Sequence, residues 1–222
     1  MSSINIAIDG PAGAGKSTVA KGVAKKLGYI YVDTGALYRA IGVYALRKGV
    51  DTKDVDGVGA ILNEINVELK FVDGTQKVFL NGDDVSEAIR TPDASMAASN
   101  VSAIPSVRAF LLDLQRSIAK KNNCLMDGRD IGTVVLPDAQ IKIFMTADVE
   151  ERAMRRFREL KEKGINDSYE QVLEEMKQRD FQDSNRPIAP LKPAEDSVIY
   201  DSTGNTLEQS IDELSALIGE KI

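Results

Sequence analysis

The chain has 222 residues, 43% of them hydrophobic, with a formal net charge of −6, no histidine and a single cysteine. That length and apolar share suit one α/β domain or one domain carrying an insertion, while the acidic balance disfavours a nucleic-acid polymer as partner. The missing histidines exclude His-based triads and His general bases, lone Cys124 cannot form an internal disulfide and, with no histidine, argues against a zinc site, no apolar run approaches a membrane span, and the lack of a basic leader in "MSSINIAID" leads us to expect the cytoplasm.

In chain order, "INIAID" (4–9) alternates Ile4, Ile6 and Ile8 and predicts a strand. It runs into "GPAGAGKST" (10–18), which matches G-x-x-x-x-G-K-[ST] through Gly10, Gly15, Lys16 and Ser17. Glycines let successive backbone N–H groups converge on phosphate oxygens, and a helix that starts there turns its positive end to the same anion. Lys16 can reach the β- and γ-phosphates, and the Ser17 hydroxyl can serve Mg²⁺. "STVAKGVAKKLG" then sets Val19, Val23, Ala24 and Leu27 on one helical face, stopped by Gly28. Strand, glycine loop and helix are the context the motif requires. Gly10, Pro11, Ala12 and Gly13, with Ala14, Gly15, Lys16, Ser17 and Thr18, are therefore expected to hold the phosphates of one phosphorylated ligand.

"YIYV" (29–32) is a second strand and "GALYRAIGVYALRKG" (35–49) a second helix, ended by Gly49. A third helix is predicted over 54–65, with Val55, Val58, Ile61, Leu62 and Ile65 on one face. The texture then changes. Val67, Leu69 and Phe71 alternate, a "DG" turn signal follows, the pattern resumes from Val78 to Leu80, and "NG" comes next. These are hairpin signals, foreign to the strand–helix rhythm around them, so about 63–95 reads as a small inserted β-rich lobe. The rhythm returns with a helix over 105–120, built on Val107, Leu111, Leu114 and Ile118. Strands follow at "CLMDGRD" (124–130) and "QIKIFMTA" (140–147). Helices over 148–164 and 168–180 each open with a capping-box spacing, Asp148 with Glu151 and Ser168 with Gln171. "SVIYD" (197–201) is the last strand, and a helix over 206–218 buries Leu207, Ile211, Leu214 and Leu217 or Ile218.

Strands alternating with helices argue an α/β fold with a central parallel sheet, whose ligands sit at the carboxyl ends of the strands. The polar clusters "DGPAGAGKS", "DTG", "DGRD" and "DSTGN" all fall there. Arginines mark a second anion. Arg39 and Arg129 follow strand ends, Arg108 lies on a helix, Arg179 and Arg186 flank "DFQDSN", and Arg152, Arg155, Arg156 and Arg158 crowd one helix with a thin apolar stripe. Arginine's planar fork suits phosphate. The crowded helix has the look of a mobile lid, although Arg158 reads better as surface charge. Asp127, ending the apolar "CLMD", either holds Mg²⁺ or caps the turn after it.

Taken together, "GPAGAGKST", "VDTGALYRA", "RTPDASMAASNVSAIPSVR", "DGRDIGTVVLPDA", "KIF", "ERAMRR" and "RDFQDSNRPIAPL" resemble the bacterial cytidylate kinases through essentially the whole chain. The first motif is common to many NTPases; "DGRDIGTVV" and RD-x-x-D-x-NR are specific to this family. The resemblance implies a P-loop three-layer fold with a five-stranded parallel sheet, a core of about 1–62, 96–148 and 166–222, an inserted monophosphate-binding lobe at 63–95 and a lid at 149–165. It implies transfer of the γ-phosphoryl group of ATP to CMP or dCMP with Mg²⁺, by a monomer. Lys16, Arg129 and the lid arginines Arg152, Arg155 and Arg156 would be catalytic. Arg39 and Arg129 would grip the CMP phosphate, with Arg186 beside them. Thr34, Ser99, Arg108 and Asp130 would line the cytosine pocket, Arg179 and Asp183 would reach the sugar, and Ser17 and Asp127 would hold the metal. A P-loop kinase for AMP, UMP or a non-nucleotide acceptor is one competitor, and the cytosine-pocket residues argue against it. A P-loop switch protein that binds nucleotide and signals through a partner is another; the N-K-x-D motif expected of a guanine-specific one is missing from the sequence, and the arginines for a second anion have no use in it.

Overall fold

A computed structural model describes residues 3–72, 75–162 and 164–222. The chain begins with β1 (Asn5–Asp9), the glycine loop, α1 (Lys16–Leu27), β2 (Ile30–Asp33), α2 (Thr34–Arg47) and α3 (Val55–Ile61). A short antiparallel sheet follows: β3 (Val67–Val72), β4 (Thr75–Leu80) and β5 (Asp83–Asp84). Then come α4 (Pro92–Val101), α5 (Pro105–Lys121), β6 (Cys124–Gly128), a single π-helical turn over Ile131–Val135, and β7 (Ile141–Thr146). The chain closes with α6 (Val149–Glu162), α7 (Tyr169–Asn185), β8 (Val198–Asp201) and α8 (Leu207–Gly219).

The main sheet has the order β2-β6-β1-β7-β8 and every pair in it is parallel. Its alternation decides the layers. Ile6 and Ile8 face α1 and α8, where they pack with Val19, Val23, Leu214 and Ile218. Ala7, one residue out of phase, faces the opposite layer with Val32, Met126, Ala119 of α5 and Ile131 of the π turn. A second core joins α2, α4 and α5 to the antiparallel sheet through Leu37, Ile41, Val78, Leu80, Val101 and Leu111. A third, small core ties α6 to α7 through Ala153, Leu160, Val172 and Met176.

The structure differs from the sequence-based expectations in several places. α3 stops at Ile61 and tightens into a 3₁₀ turn, which leaves Val55, at its first position, exposed and Ile65 buried but extended. Leu207, likewise at the first position of α8, is 46% exposed and lines the central cleft instead of the core. Helix α4 was not expected. Its start signals are present, since Thr91 caps Ala94 N–H and Pro92 sits at the first turn. Its apolar face is mostly alanine, however, because it packs so closely on α2 that a Cβ on Gly42 would lie 2.7 Å from the Ala97 Cβ. The capping box at Ser168 and Gln171 is formed, and α7 runs on to Asn185. The reciprocal bond expected at Asp148 is not made: its N–H donates to Thr203 Oγ1, and Glu151 accepts from Gly204 N–H and Arg155. Asn81 and Gly82 both take positive φ in the turn before β5. The "DG" turn between β3 and β4 lies outside the described residues.

Candidate active site

The carboxyl ends of β1, β2, β6 and β7 open into one cleft of about 1060 Å³. On one side is the glycine loop. Gly13 and Gly15 take φ of 74° and 83°, and Ala12 to Thr18 line the cleft. Gly10 and Pro11 lie beneath it. Gly10 has φ of 147°, and a Cβ there would fall 1.9 Å from the Met145 carbonyl oxygen. That neighbour is backbone of a central strand and cannot rotate away, so Gly10→Ala should cost about 3 kcal/mol and lower Tm by roughly 6–12 °C. Differential scanning calorimetry checks it, and an unchanged Tm would contradict this packing.

Lys16 is buried, and its Nζ donates to the Pro11 carbonyl at 2.6 Å. Burial pushes its pKa down to about 7, with Arg129 adding to the effect and Asp127 and Asp9 opposing it. Asp127 stands in register with Asp33 and Ile8 on the flanking strands. Its carboxylate accepts from the Tyr31 hydroxyl at 2.9 Å rather than capping the turn after it. Burial, and then the Asp33 charge, raise its pKa, while Lys16 and a hydrogen bond from Ser17 hold it down. A hydroxyl and a carboxylate side by side, both hard oxygen donors, fit Mg²⁺. This cation keeps several waters and phosphate oxygens and needs no all-protein cage. Among the described residues there is no group of three or more acidic, Cys or His side chains that could hold a metal by themselves.

On the other side of the cleft lie Thr34, Arg39, Ser99, Arg108, Asp130, Arg179, Asp183 and Arg186. Asp33 caps α2 at Ala36 N–H and holds Arg39 Nη2 at 2.6 Å. Thr34 Oγ1 donates to the Asp127 carbonyl at 2.7 Å. Arg129 Nε donates to Asp183 at 2.9 Å. Burial pushes Asp183 up, but Arg129 and Arg179 more than offset it, so its pKa is lowered. Arg179 is pushed down to about 10, first by burial and then by Arg129, with Arg39 and Arg156 adding to the effect and Asp183 opposing it; all four arginines line the same cleft. The Arg179 Nε is buried without a partner, a donor left for a bound ligand to satisfy. Deeper in, Asp130 pairs with Arg108 and, at 3.6 Å, with Arg186. The Arg108 guanidinium lies 5.6 Å from the Tyr38 ring centre.

The arginines of α6 separate. Arg155 and Arg156 line the cleft. Arg152 is 5% exposed and sits beneath it, donating to the carbonyls of Ala147 and of Ala12 in the glycine loop and pairing with Asp180 at 2.7 Å. Arg158 is exposed. Sequence reasoning missed Asp9, whose two oxygens accept from Ile131 and Gly132 N–H at 2.7 Å each. Burial pushes its pKa up to about 6, against the pull of those N–H groups. It thereby clamps the start of the π turn, and with it "DGRD", to the strand that carries the glycine loop. The available signal was an acid at the end of an apolar strand. Tyr31 and Tyr38 were missed too, since an isolated tyrosine carries no such signal, and Asp180, although it stands in RD-x-x-D-x-NR, was given no role.

Comparison with known proteins shows what this chain is similar to. The family model described as "Cytidylate kinase" matches residues 6–220. A cytidylate kinase of Caldicellulosiruptor saccharolyticus is 53% identical over 217 residues, covering 98% of this chain and 96% of that protein. One from Carboxydothermus hydrogenoformans is 50% identical over 218 residues, covering 98% of each. Among solved structures, a gluconokinase from Sinorhizobium meliloti superposes with a TM-score of 0.50 at 12% identity, over 98% of this chain and 92% of that one, a likeness of fold alone.

Proposed function

This chain belongs to the cytidylate kinase family, and from that premise we propose how its cleft moves a phosphoryl group. The enzyme is an ATP-dependent phosphotransferase: it transfers the γ-phosphoryl group of ATP to CMP or dCMP, giving ADP and CDP or dCDP. The observation that carries the division of labour is that the glycine loop and the arginine group line one continuous cleft, with Lys16 and Arg129 close enough to perturb each other.

ATP phosphates lie along Ala12 to Thr18, with Lys16 at the β- and γ-phosphates. The CMP phosphate is gripped by Arg39 and Arg129. Its oxygen attacks the γ-phosphorus as the bond to the β,γ-bridging oxygen breaks, and ADP leaves. Such a transfer asks the protein mainly for position and charge, which is why a chain without histidine performs it. Ser17 and Asp127 would hold Mg²⁺, which would supply positive charge beside the transferring phosphate. Arg108 and Asp130 read the cytosine edge, with Thr34 and Ser99 lining the pocket and Arg186 bracing Asp130. Arg179 and Asp183 reach the sugar, the latter with the oxygen that Arg129 does not take.

The insertion at 63–95 extends the CMP side and 149–165 serves as lid. Within that lid Arg155 and Arg156 close on the transferring group, while Arg152 pins α6 to the glycine loop. Neutralising Arg155 and Arg156 together should lower kcat and kcat/KM alike by about 10²-fold, with Tm nearly unchanged. Arg152→Ala should lower Tm as well, since it leaves Asp180 unpaired. A raised KM for CMP with unchanged kcat in the Arg155/Arg156 variant would instead assign that pair to the acceptor side. Both substrates lodge within one chain, which supports a monomer. Among the described residues no helix is long and apolar enough to cross a membrane, and Cys124 is buried with its thiol pushed up to about 12; with ATP and CMP as substrates, these fit a cytoplasmic enzyme. ADP release from MgATP, measured with CMP, dCMP, UMP and AMP in turn, tests the whole reading; release that does not depend on CMP would refute it.

A further inference from the structure

Strand β2 is an edge of the main sheet, so its outer N–H and C=O groups have no neighbouring strand to pair with. At Asp33 a single side chain takes both. Gln76 Oε1 accepts from Asp33 N–H at 2.9 Å, and Gln76 Nε2 donates to the Asp33 carbonyl at 3.3 Å. A primary amide carries one acceptor and one donor in the arrangement of a peptide group, so Gln76 stands in for a residue of the missing strand. Gln76 belongs to β4, in register with Phe71 of β3. Phe71 and Leu69 pack beside Val32 and Met126, which fixes the hairpin against the sheet edge.

The residue held in this way has a demanding task. The Asp33 carboxylate caps α2 with one oxygen and fixes Arg39 with the other. The pair is about three-quarters buried, and the site is tight: a Cβ on Gly35 would lie 3.1 Å from both Arg39 Nη1 and Asp33 Oδ1. Turning the Asp33 backbone therefore turns the guanidinium. Gln76 does not line the cleft, so its effect on ligand must pass through Asp33.

We propose that Gln76 is a positioning residue of the CMP-phosphate site, linking the β3–β4 hairpin to the orientation of Arg39 through the backbone of Asp33. The proposal rests on the reading that Arg39 grips the CMP phosphate. It makes the hairpin part of acceptor binding although none of β3 or β4 lines the cleft.

A double-mutant cycle tests it, with steady-state kinetics for CMP and ATP on Gln76→Leu, Arg39→Ala and the double variant. Gln76→Leu is expected to raise KM for CMP roughly five- to tenfold, the loss of about one positioning hydrogen bond. KM for ATP and kcat at saturating CMP should stay within about twofold, which also reports a folded enzyme. In the Arg39→Ala background Gln76→Leu should add nothing. Gln76→Glu keeps the acceptor for Asp33 N–H but sets a carboxylate oxygen against its carbonyl, so its KM for CMP should also rise at least about fivefold; should Gln76→Leu fail to fold, this variant decides. A wild-type KM for CMP in the Gln76 variants, with Arg39→Ala impaired, overturns the proposal alone. So do equal losses for CMP and ATP, or additive effects in the cycle. An unimpaired Arg39→Ala overturns the reading of the phosphate site, and the proposal with it.

Discussion

Lys16→Ala should lower kcat by at least ~10³-fold and leave KM for CMP nearly unchanged, because in the proposed reading the lysine stabilises charge that grows at the γ-phosphoryl oxygens during transfer. The group is well suited to this. It is buried under the glycine loop, where burial pushes its pKa down to about 7, and it donates to the Pro11 carbonyl. A polyphosphate entering the loop supplies the missing negative charge and restores the proton. ATP binding near pH 8 should therefore take up a proton in the wild type and not in Lys16→Ala, read by calorimetry in buffers of different ionisation enthalpy. The same shift governs stability. The folded value lies below the ordinary 10.5, so unfolding binds a proton between about pH 7 and 10.5, and stability rises with pH across that window. Lys16→Ala should flatten that slope. Near-normal turnover in a folded Lys16→Ala enzyme would remove the lysine from the mechanism.

Arg108→Met should cost CMP efficiency about 10²- to 10³-fold while ATP binding is retained. Cytosine presents an acceptor at N3 and a donor at its 4-amino group; uracil presents the reverse. An arginine facing N3 and a carboxylate facing the amino group match the first base and oppose the second at both positions. Arg108 and Asp130 are both at least nine-tenths buried, so each mismatch leaves a polar group unpaired at about 1–3 kcal/mol. Two of them give a CMP-over-UMP preference in kcat/KM on the order of 10²–10⁴. Asp130→Asn should narrow that preference from the other side by admitting UMP, since an amide can turn its donor toward O4. Arg186 remains beside position 130 in both variants, which favours survival of the pocket. Initial rates with CMP, dCMP, UMP and AMP under identical MgATP decide the matter, and equal efficiency of wild-type enzyme with UMP would end this assignment of the pocket.

Much of this was written locally. The glycine loop is legible because its chemistry is contiguous: Gly10 to Ser17 supply the backbone freedom, the charge and the hydroxyl within one turn of chain, and Ile6 and Ile8 before them and Val19 and Val23 after them state the strand and the helix. The arginines at strand ends were legible for a similar reason, since a parallel α/β sheet opens its ligand cleft where they stand. Periodicity reports only that a face is buried, not against what. Helix α4 escaped notice because close approach to α2 at Gly42 leaves room only for small side chains, and small side chains make a faint pattern.

Tertiary structure alone decided where each arginine sits. Arg152 and Arg155 are one turn apart on α6, yet the first is sealed against Ala12 and Asp180 while the second opens into the cleft. Their sequence neighbourhoods are alike; the difference lies in what α7 and the glycine loop bring to each face. Asp9 with Ile131, separated by 122 positions, and Asp33 with Gln76, separated by 43, are contacts of the same kind. They depend on strand order and on where an inserted hairpin comes to rest. Strand order is settled by burial summed over the whole sheet, so no short stretch of the chain encodes it.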